Sequence, residues 1–167
     1  MEKLLYLVHR IPYPPNKGDK IRSFNILKQL ALNYDVVLAC FIDDDDDTPF
    51  IAELDKYCVE TLCLQLNPTR AKIKSLKGLV RGQALTVDYY ANAEMQHWVN
   101  AAIEKHDINK ALVFSSSMAQ FVEDKPELYR LIDFVDVDSD KWRQYVSKTS
   151  FPMNWVYQRE HVKLGEY

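Results

Sequence analysis

Residues 4–42, LLYLVHRIPYPPNKGDKIRSFNILKQLALNYDVVLACFI, decide the fold. Two largely apolar runs, LLYLV at 4–8 and DVVLACFI at 35–42, flank a basic loop and a stretch of helical periodicity from about Lys20 to Leu32. A strand covered on both faces has no reason to alternate polar with apolar residues. Runs of this kind therefore read as strands of a parallel sheet held between helices, and the stretch as the first strand–helix–strand unit of an α/β fold.

The rhythm continues outward. A helix near 49–57 precedes VETLCLQL at 59–66. A helix near 92–105 precedes ALVFSS at 111–116, and a short helix near 117–123 precedes RLIDFVDV at 130–137, with helical patterns from about 139 and 152. The expected architecture is α/β: one Rossmann-like, doubly wound domain over 1–167, with a mostly parallel sheet and helices on both faces. No repeat and no linker interrupts it, and DDDDD at 43–47 reads as a solvated, self-repelling loop. The closing NWVYQREHVKLGEY is a helix pattern with neither capping glycine nor following proline, which fits either a frayed terminal helix or, the preferred reading, the first domain of a longer chain.

The chain has 167 residues, 47% of them hydrophobic, enough for a sizeable core. A formal charge of −3 supplies no general basic field, which argues against nucleic acid as a partner. Cys40, Cys58 and Cys63 form no CxxC pair and lie in apolar stretches, as reduced core residues of a cytosolic protein do. No apolar run approaches the length needed to span a bilayer.

In an open α/β sheet ligands bind beyond the carboxyl ends of the strands, where loops feed helix N-termini. Three loops fall there. After the first run, Gly18 stands among Lys17, Lys20 and Arg22 at a helix start, a combination suited to phosphate, although the spacing fits neither established Gly-rich phosphate loop. Ser115, Ser116 and Ser117 can cap the following helix or donate to sugar hydroxyls or a phosphate. Asp136 and Asp138, followed by Lys141, can hold a hard metal ion, or one can cap a helix while the other pairs with a base. His9 alone of the four histidines follows the first strand. Segment 68–82 carries Arg70, Lys72, Lys74, Lys77 and Arg81 without an acid, with Ile73, Leu76 and Val80 on one helical face; it reads as a surface helix or as one that lies on an anionic membrane.

HRIPYPPNKGDKIRSFNILKQLA, FSSSMAQFV and DFVDVDSDKWRQY, in this order and spacing, resemble the N-terminal domain of sugar transferases associated with exosortase (PEP-CTERM) exopolysaccharide loci. These belong to glycosyltransferase family 4, of the two-domain GT-B type. The resemblance implies a nucleotide-sugar donor and a polysaccharide or lipid-linked acceptor, with a C-terminal donor-binding domain outside this chain and the isolated fragment inactive. It places Gly18, Lys20 and Arg22 near the donor diphosphate. Asp19, Ser115, Ser116, Ser117, Asp136, Asp138 and Lys141 fall on the acceptor side of the cleft. It implies no cofactor and no catalytic metal, and a cytoplasmic enzyme held peripherally at the inner face of the membrane through 68–82. The family's mid-domain histidine corresponds to a position within Ser115–Ser117, so no catalytic residue is assigned. A metal-dependent transferase or phosphatase using Asp136 and Asp138, and a stand-alone Rossmann-like binding module, remain the alternatives.

Overall fold

A computed structural model describes residues 1–75, 84–135, 145, 148–150 and 152–166. Contacts divide the chain into two compact units: Met1–Asn67 with Asn92–Asp133, and Pro68–Ala91 with Phe134–Tyr167.

The first unit is a Rossmann-like α/β structure. Strands β1 (Glu2–Val8), β2 (Tyr34–Ile42), β3 (Cys58–Gln65), β4 (Lys110–Phe114) and β5 (Tyr129–Asp133) form one five-stranded sheet in the order β3-β2-β1-β4-β5. Every pairing is parallel. The continuous apolar runs have the predicted cause: Leu5, Tyr6 and Leu7 of β1 and Val36 to Phe41 of β2 are buried on successive positions, hence on both faces.

Helix α1 (Gly18–Leu30) links β1 to β2, and a 3-10 turn (Asp45–Phe50) running into α2 (Ile51–Leu54) links β2 to β3. The chain then reverses across the sheet. After β3, and by way of the second unit, helix α5 (Ala93–His106) carries it to β4, and a 3-10 helix (Ser116–Phe121) carries it on to β5. Right-handed crossovers running in opposite directions place α1 and α5 on opposite faces. The Tyr6 hydroxyl donates to the Ser23 carbonyl of α1 at 3.1 Å. Lys105 and His106 at the end of α5 engage Glu60 of β3.

Some boundaries differ from the sequence-based expectation. Strand β4 stops at Phe114, because Ser115 turns the chain with φ 88°. Strand β5 ends at Asp133, short of the expected 137. The helix expected near 49–57 is present as the single turn α2, Ile51–Leu54, entered through the 3-10 turn Asp45–Phe50, and it stops short of 57.

In the second unit the described elements are α3 (Pro68–Ser75), α4 (Leu85–Tyr90) and α6 (Met153–Glu166). Glu160 of α6, only 2% exposed, accepts hydrogen bonds from the backbone N–H of Leu85 at 2.7 Å and of Thr86 at 3.2 Å. Its carboxylate thereby serves as the cap of α4.

Candidate functional site

Strands β1 and β4 lie side by side, yet their connections leave in opposite directions, so the loops after them diverge and open a crevice at their carboxyl ends. Val8 and Phe114, the last residues of the two strands, are register partners. His9 follows directly. Its ring stacks on Phe114, with centroids 5.9 Å apart and planes 9° from parallel, and its Nε2 lies 3.4 Å from Asp19 Oδ2 in the first turn of α1.

Arg10 joins three elements. Its Nε reaches both carboxylate oxygens of Asp43, just past β2, at 3.0 and 2.9 Å, while Nη1 donates to Asp19 Oδ2 at 2.9 Å. The loop after β1 is thereby tied to the loop after β2 and to the start of α1 by charge-assisted bonds. The hydrogen bond from His9, with the charge of Arg10 beside it, holds the Asp19 carboxyl well below the usual carboxylate range even though partial burial opposes this.

Gly18 is the first residue of α1 and is exposed. A Cβ placed on it would meet no atom within 4 Å. Neither a positive φ nor a close backbone approach within the chain requires glycine here; its effect is to leave the helix N-terminus uncovered by a side chain. Arg22, one turn further and 52% exposed, binds Asp133 Oδ2 at 2.8 Å and lies 6.0 Å above the Phe114 ring. Gly18, Arg22 and Asp133 line a groove of about 730 Å³ that continues along α1 past Asn25, Gln29 and Asn33.

Lys20 is turned elsewhere. Two residues on from Gly18, it projects from the opposite side of α1. Its ammonium, 1% exposed, forms an ion pair with Asp47 Oδ2 at 2.6 Å. This also corrects the reading of DDDDD as a solvated run: Asp44, Asp45 and Asp46 are exposed, whereas Asp43 is gripped by Arg10 and Asp47 is buried with Lys20.

Ser115 leaves β4 with its amide donating to the Asp133 carbonyl at 2.8 Å, and its hydroxyl lies 3.1 Å from that of Ser117. Ser115, Ser116 and Ser117 are all at least nine-tenths buried. Ser115 makes no side-chain cap on the following 3-10 helix, so helix capping does not account for it. Asp136, Asp138 and Lys141 lie outside the described residues, as do Leu76, Lys77, Val80 and Arg81 of the basic segment.

Arg10, Asp43 and Asp133 are the site residues that sequence reasoning does not select. The rule that chooses Gly18 and the serines, proximity to the carboxyl end of a predicted strand, also applies to them: Arg10 follows β1, Asp43 follows β2 and Asp133 ends β5. Among the described residues no three His, Cys, Asp or Glu side chains gather as a metal site, and no helix is long and apolar enough to cross a membrane. No protein-family model, curated protein or solved structure matches the chain.

Proposed function

We propose that the chain is the acceptor-side domain of a glycosyltransferase that moves a sugar from a nucleotide-sugar donor to a polysaccharide or lipid-linked acceptor in exopolysaccharide synthesis. The observation that carries this reading is the mixed crevice at the β1–β4 switch point. The uncovered start of α1 at Gly18 and the half-exposed Arg22 guanidinium suit a diphosphate, while the carboxylates of Asp19 and Asp133 suit sugar hydroxyls. The family resemblance of the three sequence stretches supports the same assignment.

In this reading Arg22 faces the leaving diphosphate and offsets the negative charge that develops there, as donors fixed in advance do in other transfer sites. Asp19, ionised and oriented by His9 and Arg10, accepts an acceptor hydroxyl. Lys20 contributes by fixing the first turn of α1 through Asp47 rather than by touching the donor. The exposed Ile73 of α3, with Arg70 and Lys72 beside it, supports the peripheral membrane role given to segment 68–82.

The test is titration of the isotopically labelled chain, followed by amide NMR, with UDP-glucose, GDP-mannose and a panel of oligosaccharides. Saturable shifts clustered at Gly18, Arg22 and Ser115–Ser117 that weaken at least tenfold in Arg22→Ala are expected. If nucleotides bind and no saccharide does, the binding-module alternative is favoured, and if no probe binds the crevice the reading fails.

A further inference from the structure

Strands β2 and β3 run parallel, and Cys40 stands directly opposite Cys63 in their register. Neighbouring strands are spaced about 4.8 Å apart, inside the range of Cα separations that a disulfide spans. The two sulfurs are 3.4 Å apart, in contact but not bonded, so closure requires an approach of about 1.4 Å to the usual S–S length. Cys40 is fully buried on β2, while Cys63 is partly exposed on β3, an edge strand of the sheet. An inert core cysteine needs neither a partner in contact nor an exposed edge.

We propose that Cys40 and Cys63 form a reversible dithiol that a hydroperoxide closes to a disulfide between β2 and β3. The Cys63 thiolate attacks the peroxide; the O–O bond breaks, Cys63 becomes a sulfenic acid and the remaining oxygen leaves as water or an alcohol. The Cys40 sulfur then attacks the Cys63 sulfur, the S–O bond breaks, and the departing hydroxide takes the Cys40 proton as water. Two thiols and one hydroperoxide thus give one disulfide, one water and one further water or alcohol, and a dithiol reductant reverses the change.

The order of attack follows from access and from the hydrogen bond between the thiols, which raises Cys40 well above the ordinary thiol range and lowers Cys63. Cys58 provides an internal comparison, since burial pushes its thiol up to about 12. Cys40 lies on β2, which delivers Asp43 to Arg10, so the bond forms on a strand tied to the loop after β1. The inference stands on this geometry and does not depend on the transferase reading.

The experiment treats the fully reduced chain with one equivalent of hydrogen peroxide, alkylates the free thiols and maps the products by mass spectrometry. Expected are a linked Cys40–Cys63 peptide pair, full recovery of both thiols after dithiothreitol, and alkylated Cys58 throughout. In Cys40→Ser, dimedone should trap a sulfenic acid at Cys63, which assigns the order. Because the wild-type link decides the matter, a variant that fails to fold leaves the test intact. Oxidation of Cys58 first, over-oxidation of Cys63 with Cys40 still alkylated, or no link in excess peroxide would overturn the proposal.

Discussion

A buried ammonium such as that of Lys20 persists because Asp47 is 2.6 Å away. Removing one partner leaves the other as an uncompensated buried charge, so Asp47→Ala should lower stability by about 3–5 kcal/mol in urea unfolding. Replacing the pair with Lys20→Met and Asp47→Leu together should recover most of that loss. Ser115 is a second strained point: its φ of 88° belongs to glycine's territory, and Ser115→Gly should raise stability by about 1 kcal/mol while removing the hydroxyl contact to Ser117. Asp19 bears on pH. Its carboxyl is depressed in the folded chain relative to about 3.9 unfolded, so the unfolded state takes up protons first on acidification. The contribution is complete above the unfolded value and is lost as pH falls below about 4, so an acid titration monitored by circular dichroism should lose part of that slope in Asp19→Asn. Of these residues, Gly18 and Arg22 are legible as crevice groups because a loop between strand and helix has a known place in this architecture. Lys20 misleads because its partner lies 27 residues away inside a run of acids whose members look alike in sequence.

At the level of elements, helix α5 shows its start in the sequence: the Asn92 side chain accepts from the backbone N–H of Glu94 at 2.8 Å and of Met95 at 3.0 Å. Helix α4 shows nothing comparable. Six residues are too few to display a helical period, and its cap is Glu160, 75 residues further along the chain. The Glu160→Ala variant should therefore open α4 selectively, costing about 1–2 kcal/mol and raising amide hydrogen exchange across Leu85–Tyr90 while β1 and β2 keep their protection. Strand ends are the other weak point. The hydroxyl pair at the end of ALVFSS extends an apolar run without interrupting it, yet the backbone leaves the sheet at Ser115, where its amide turns to the Asp133 carbonyl.

For the whole molecule, the parallel sheet is legible because LLYLV is short, unbroken and followed within a few residues by prolines, which suits a strand covered on both faces better than a helix. The strand order is not, since it depends on the direction of each crossover, which leaves no local mark in the sequence. The membrane role proposed for the basic segment belongs to this scale, because it would hold the whole molecule at a surface. Vesicles rich in phosphatidylglycerol should pellet the chain at low salt. Replacing Lys72, Lys74 and Lys77 with alanine should weaken that binding about a hundredfold, at roughly 1 kcal/mol per basic residue. Binding that is absent, or unchanged by the replacements, would remove the membrane role.

The position of β1 has a consequence for synthesis. Of the five strands it is the first to be made, yet it ends in the middle of the sheet, with β2 on one side and β4 on the other. Its second edge stays unsatisfied until Phe114 has emerged, roughly a hundred residues later, which at ~5–20 residues per second is an interval of several seconds. Throughout that time one edge of LLYLV lacks its strand partner, the kind of exposure that makes an incomplete chain prone to aggregate.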